Sequence, residues 1–397
     1  MRIAKYDNVD LHWWGHHLLL IRNLNEYYIF EEEEVFFVEH LCKTNVVAEV
    51  VCDIARELEV DSALIESFIN VFLENFSDYF YLAQDEITQS LCISGKKLAY
   101  YPLEIHISLT DRCIQKCKHC YKSASSCGKD VDFKDLCDFL DRMIGYVPYL
   151  CLSGGEPTLH PDFIRIMEKY STFYNVCVLT SGVRISPLLD VIAKADRGMV
   201  VSLYSSIPAI HDEFAGYIGS YNEIMKSLNI ALANGIHTAV TTLLSRNNFD
   251  DIADLVEMIV PKGIKTITIG KITSVGRAKE NDLEVLNIIP DDLREKLLCL
   301  KKKYNIIKIP DNETCENILL PFSPLKCSAG TLSWSINEHG QIHPCGVCSM
   351  EGLSLGLIAP FDETILTDRT SYIERVKNLP LVKNMERFKV RCPFDLS

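Results

Sequence analysis

The spacing of apolar side chains changes twice along the chain. Residues 16–23, HHLLLIRN, and 26–30, EYYIF, are apolar runs joined by Leu24 and Asn25, the pattern of a β-hairpin. The spacing then turns helical. EEVFFVEHLC (33–42) is one helical stretch, and Val47, Val50, Val51, Ile54 and Leu58 mark a second within 46–60. Asp61 suits the N-cap of a third, which places Leu64, Phe68, Val71, Phe72 and Phe76 on one face. DYFYLAQ (78–84) follows as a strand. Residues 1–85 are therefore expected to form a hairpin, three helices and a strand, a winged-helix-like order. Residues 86–103 lack such a pattern and read as a linker.

From residue 104 strands and helices alternate. Strand-length apolar runs fall at 104–109, 149–154, 175–182, 197–205, 237–245 and 264–272, with helical patterns between them. Six such units predict an α/β fold over 104–290, a parallel sheet curled into a partial (β/α)6 TIM-like barrel. Chemistry in such folds sits on loops after the carboxyl ends of the strands. Past residue 290 the alternation stops. Residues 291–397 open with a charged helix and continue rich in Cys, Pro and Gly, as a small separate domain.

Composition adds four constraints. Of the 397 residues 48% are apolar and 24% charged, ordinary for a globular chain of two or three domains. The formal charge of -14 argues against nucleic acid or anionic membrane as a partner, since both need a basic surface. No secretory signal and no membrane-length apolar run is read, so a cytoplasmic location is expected. Sixteen cysteines in such a setting point to metal or redox chemistry rather than disulfides. Cys42, Cys52, Cys137, Cys151, Cys177 and Cys299 lie within apolar runs and read as small buried hydrophobes.

The chemistry concentrates in LTDRCIQKCKHCYKSAS, residues 109–125, where Cys113, Cys117 and Cys120 share the loop after the first barrel strand. Three thiolates are one short of a closed structural zinc site, which His106 or His119 would have to complete. The same spacing can wrap three corners of an iron–sulfur cube and leave one iron open. Tyr121 follows the last cysteine. SGGEP (153–157) ends the second strand; its glycines allow close backbone approach, and Glu156 offers an acceptor for a ligand's ammonium group.

Together these residues resemble the radical S-adenosylmethionine (SAM) superfamily over roughly 104–285. LTSG (179–182), Ser202, HDEFAG (211–216) and GRA (276–278) add to the likeness. The resemblance implies a [4Fe–4S] cluster on Cys113, Cys117 and Cys120, with SAM chelating the open iron. It implies a methionine site at Gly154, Gly155, Glu156 and Pro157, with Tyr121 and Ser181 beside it and Ser202 toward the ribose or carboxylate. An electron from a low-potential donor, flavodoxin or ferredoxin, would cleave SAM to a 5′-deoxyadenosyl radical that takes hydrogen from substrate.

In the tail, Cys327, Gly340 and Cys345 resemble the opening of the SPASM domain or its shorter relative, twitch. SLGLI (354–358) resembles a further motif of that domain, with Leu357 in place of the usual Asn, and Cys392 stands alone near the end. One auxiliary [4Fe–4S] cluster is implied, on Cys327, Cys345, Cys348 and Cys392, with Cys315 in reserve. CGVC (345–348) by itself fits a zinc knuckle equally well. Residues 1–85 resemble the PqqD-like element that binds precursor-peptide leaders. The leader would add to the sheet edge at EYYIFEE beside the helix 62–76; the plain alternative is a structural cap with Tyr27, Tyr28 and Phe30 in its core. The expectation is an enzyme that installs a thioether or carbon–carbon crosslink in a ribosomally made peptide. A small-molecule dehydrogenase, or a peptide epimerase with Cys315, Cys348 or Cys127 as hydrogen donor, are the alternatives.

Overall fold

The computed structural model describes residues 1–22, 26–84, 91–273, 275–281, 283, 290–308, 330–346 and 354–368. It divides into two compact units, Met1–Leu103 and Glu104–Ser397. Among the described residues no helix is long and apolar enough to cross a membrane.

The first unit runs β1 (Arg2–Lys5), β2 (Val9–Trp14), β3 (His17–Arg22), β4 (Glu26–Ile29), α1 (Glu32–Lys43), α2 (Val47–Leu58), α3 (Ser62–Asn75), β5 (Phe80–Ala83) and β6 (Ile93–Gly95). The expected hairpin is β3 against β4, with Leu19 opposite Ile29. Asp61 caps α3 as anticipated, accepting from the Ala63 amide at 2.8 Å. Phe30, Phe37, Phe72 and Phe76 form the aromatic centre of the core, with Phe37 and Phe72 rings 4.7 Å apart.

Three features depart from the sequence reading. VDLHWW forms β2, antiparallel to β3, although Asp10 and His12 break its apolar run. His12 is fully buried because both ring nitrogens are satisfied: Nδ1 lies 2.8 Å from Ser94 Oγ and Nε2 3.0 Å from the Tyr101 carbonyl. Burial pushes its pKa down to about 4, so the ring is neutral. Second, residues 91–103 are not a free linker. Ile93–Gly95 adds to β2 in parallel, and Leu91, Ala99, Tyr101 and Leu103 are buried. Third, the buried face of α3 is Ile65, Ile69 and Phe72, while Leu64 and Val71 stand exposed. The helical period placed apolar residues on both sides of α3, and packing chose the narrower set.

The second unit runs β7 (Glu104–Thr110), α4 (Phe133–Met143), β8 (Tyr149–Gly154), α5 (Phe163–Tyr170), β9 (Asn175–Thr180), α6 (Leu189–Ile192), β10 (Met199–Ser202), α7 (Pro208–Ala215), α8 (Ser220–Ala233), β11 (Thr238–Leu244), α9 (Ile252–Ile259), β12 (Thr266–Lys271), α10 (Arg277–Glu280), α11 (Asp291–Lys303), β13 (Ile307–Lys308), β14 (Ser333–Ile336), β15 (Gln341–His343) and β16 (Gly356–Leu357). β7 to β12 lie side by side in chain order and all parallel, the arrangement that helical crossovers enforce. Ile105, Ile107, Leu150, Leu152, Val176 and Val178 are buried, as a sheet covered on both faces requires.

The described part of 291–397 does not stand apart as a small domain. β13 extends the sheet beyond β12, and β14 pairs in parallel with β7, Ser333 opposite Glu104 and Ile336 opposite Ile107. β15 and β16 continue antiparallel. Trp334 anchors β14, fully buried. A strand of four residues amid irregular sequence leaves too short a period to read.

Candidate active site

The strands β7 to β11 and β14 surround one cavity of about 460 Å³. Its wall near the carboxyl ends of the strands carries Cys113, Cys117 and Cys120, with Gly154 and Gly155, Ser181 and Ser202 from the next three strand ends. Tyr121 lines it as well.

The cysteine loop is pinned along its length. Cys113 N donates to Ser125 O at 2.6 Å, and Lys118 N to Phe214 O at 2.9 Å. The Arg112 guanidinium forks onto Asp130 at 2.8–3.1 Å and donates to Leu159 O at 2.7 Å. Arg277 ties three loop carbonyls together: its amide donates to Cys120 O at 2.9 Å, Nε to Cys117 O at 2.9 Å, and Nη1 to Ala124 O at 2.6 Å. A planar guanidinium with several fixed donors suits this task, which a point-charge ammonium would not. GRA marked this position in the sequence without revealing that its arginine staples the loop.

Gly154 and Gly155 carry the close approach between β8 and the loop. Gly155 N donates to Thr110 O at 2.7 Å and Glu156 N to Arg112 O at 2.8 Å. A Cβ on Gly154 would meet Thr110 O at 2.3 Å, and its φ of +144° also favours glycine; one on Gly155 would meet Arg112 O at 2.4 Å.

Two expected contacts change. Glu156 does not line the cavity. Its carboxylate is buried and accepts from Thr158 Oγ1 at 2.8 Å, Thr180 Oγ1 at 2.9 Å, and Ser181 N and Oγ at 2.8 and 2.7 Å. These bonds join the ends of β8 and β9, so the side chain braces the two strand ends. Pro157 is likewise buried in the following turn and outside the cavity wall.

Burial pushes the Cys113 thiol up to about 11 and the Cys117 thiol up to about 12, and the neighbouring cysteines add to both. A bound cationic centre reverses this penalty, since thiolate ligation supplies the missing counter-charge. Among the described residues, no three Cys, His, Asp or Glu converge as a single ion requires. Neither histidine belongs to such a group among the described residues. His106 Nε2 is 2.6 Å from Glu104 Oε2, and His119 Nε2 is 3.2 Å from the Tyr204 hydroxyl. Two further polar atoms do suit a ligand. Gln115 Nε2 and His119 Nδ1 are buried without a hydrogen-bond partner, on side chains that line the cavity. Gln115 sits inside the cysteine motif, where its spacing alone carried no signal. Thiols, a glycine cradle and unpaired polar atoms together fit an iron–sulfur cluster with a polar nucleotide beside it.

Cys345 lines the same cavity, and a Cβ on Gly346 would lie 3.1 Å from the Tyr121 hydroxyl. Cys315, Cys327, Cys348 and Cys392 lie outside the described residues. Cys127 is exposed and does not line the cavity. Lower on β7, Glu104 bridges His106 and Arg197, at 2.6 and 2.5 Å. Those two cations outweigh burial and hold its carboxyl down to about 2.

Residues 107–259 match the Radical SAM superfamily. The sporulation killing factor maturation protein SkfB of Bacillus subtilis is 25% identical over 280 residues, 68% of this chain and 66% of that protein. The antilisterial bacteriocin subtilosin biosynthesis protein AlbA of the same organism is 25% identical over 328 residues, 77% of this chain and 68% of its own. The chain thus spans about two thirds of the length of these curated relatives. Among solved structures, Streptococcus suis SuiB bound to S-adenosylmethionine superposes with a TM-score of 0.66 at 15% identity, covering 98% of this chain and 97% of that one. SuiB bound to precursor peptide SuiA gives 0.63 at 16%, covering 92% and 88%. The fold is shared along nearly the whole length, and that superfamily implies a [4Fe–4S] cluster and SAM as cofactors. Residues 107–259 are a Radical SAM superfamily domain, and the chain that carries it is an enzyme.

Proposed function

We propose that this enzyme modifies a ribosomally made precursor peptide, installing a thioether or carbon–carbon crosslink. One observation carries the reading: the three loop cysteines, the glycine cradle and the tail cysteine Cys345 share a single cavity. The names of SkfB and AlbA, a maturation and a bacteriocin biosynthesis protein, and the peptide bound to SuiB support a peptide substrate.

Cys113, Cys117 and Cys120 hold the cluster. Gly154 and Gly155 admit the methionine end of SAM, with Ser181, Ser202 and Tyr121 along its flank. When bound, cluster and SAM supply a 5′-deoxyadenosyl radical by one-electron cleavage. The chain's own work is placement. Arg277 and Arg112 fix the loop, and Glu156 locks two strand ends. Cys345, with Cys327, Cys348 and Cys392, holds an auxiliary [4Fe–4S] cluster that serves the same substrate. The leader joins the edge of β4 beside α3, which raises the local concentration of the core peptide. A cytoplasmic flavodoxin or ferredoxin supplies the electron.

The test is anaerobic reconstitution with iron and sulfide, followed by reaction with SAM, dithionite and synthetic peptides translated from each short reading frame that flanks the gene. Deoxyadenosine formation together with loss of two hydrogens from one of these peptides is expected. Deoxyadenosine with no change in any of them overturns the peptide reading.

A further inference from the structure

Leu64 and Val71, which the helical pattern assigns to the core, are 61% and 52% exposed, and Leu58 at the end of α2 is 50% exposed. All three line one groove of about 640 Å³ between the three helices of the first unit, with Phe36 and Phe68 between them. Scattered exposed apolar residues are ordinary, but three large ones gathered around a concavity mark a docking surface.

The rim of the groove is acidic. Glu32 and Glu33 line it from the first turn of α1. Glu34 is engaged, accepting from Glu31 N at 2.9 Å and Tyr28 OH at 3.2 Å. Glu32 and Glu33 have no ion-pair or hydrogen-bond partner among the described residues. None of the lining residues lies on β4, so the groove is separate from the sheet edge.

We propose that this groove is a second docking site for the precursor peptide, taking a segment with a bulky apolar residue flanked by lysine or arginine. The inference rests on the peptide reading above. Charge decides the occupant. A second copy meeting this face by two-fold symmetry would set Glu32 and Glu33 against their own like. Anionic lipid or nucleic acid meets the same repulsion. A basic peptide gains at both places, with its apolar residue leaving water in the groove and its cations steered by the rim.

The test uses the full reconstituted chain without SAM or reductant, and fluorescence polarisation with three synthetic peptides. One alternates leucine with lysine, one leucine with glutamate, and one serine with lysine. The leucine–lysine peptide binds at least about ten-fold tighter than either of the others. Leu64→Ser/Val71→Ser weakens it about ten-fold at unchanged circular dichroism, and Glu32→Gln/Glu33→Gln removes most of its salt dependence. Equal affinity for the leucine–glutamate peptide, or wild-type binding by the Leu64→Ser/Val71→Ser variant, overturns the proposal. So does a dimer that this variant dissolves. Unaltered probe binding in the variants, with peptide modification intact, sinks the groove alone. A wild-type enzyme that modifies no peptide sinks the reading beneath it.

Discussion

Lys122 and Glu338 stand 216 positions apart and meet at 2.5 Å, their side chains only 7% and 12% exposed. Lys122 belongs to the cysteine loop and Glu338 to the turn between β14 and β15. The lysine also donates to Ser108 Oγ at 2.6 Å. Burial opposes the charge on Glu338, and the lysine outweighs it, holding the carboxyl below its usual range. The pair therefore fastens the loop to the returning tail.

Removing one member leaves a buried charge alone. Glu338→Leu is expected to cost about 3 kcal/mol in urea unfolding, while Lys122→Met/Glu338→Leu recovers most of that loss. A single variant as stable as wild type would show that the pair contributes nothing.

Loss of the loop thiols should be absolute for chemistry. Cys113→Ala/Cys117→Ala/Cys120→Ala, reconstituted beside wild type, is expected to hold about four fewer irons per chain and to form no deoxyadenosine. Iron content and chromatography read both outcomes. Unchanged iron would move the cluster elsewhere.

Gly155→Ala drives a methyl group against Arg112 O, a backbone atom that cannot step aside. A loss of about 1–3 kcal/mol in stability is expected, with weaker SAM binding by calorimetry. Wild-type affinity and stability together would show that the contact relaxes freely.

Arg277→Lys keeps the charge and loses the fork onto Cys117 O and Ala124 O. Deoxyadenosine formation should fall at least about ten-fold at unchanged iron content, because small displacements of a reacting centre are costly. Equal loss of iron and activity would instead make the arginine a requirement for cluster assembly.

His12 gives the first unit an acid limit. Its folded pKa, about 4, lies below the ordinary value of 6.5, so the unfolded chain binds the extra proton more readily. Stability from this residue is complete above about pH 6.5 and declines by about 3 kcal/mol as pH falls to 4. Urea midpoints measured across that range should slope more steeply for wild type than for His12→Gln. Parallel slopes would assign the acid sensitivity elsewhere.

Much of this was legible in the sequence. The alternation from 104 onward identified a parallel α/β sheet, because strands buried on both faces read as continuous apolar runs. The cysteine loop, the glycine pair and the strand-end serines were legible because each is local, a motif at the end of one strand. What escaped depends on distant partners. His12 hides β2 because Ser94 and Tyr101 make a buried histidine tolerable. The bonds from Thr180 and Ser181 to Glu156 join two strand ends that the motif SGGEP does not connect. GRA marks the position of Arg277, but the motif does not say that its guanidinium reaches the loop carbonyls of Cys117 and Ala124. The exposed side of α3 escaped because apolar period alone does not say which face a neighbour covers.

The pairing of β14 with β7 sets a schedule for synthesis. More than half of the chain must leave the ribosome after Glu104 before Ser333 can reach it. At ordinary translation speeds that is on the order of 10–50 s during which one flank of β7 lacks its neighbour. An open strand edge of that duration invites pairing with other nascent chains. Slower translation ahead of the tail should therefore lower soluble yield, and chaperones that shield exposed strands should restore it.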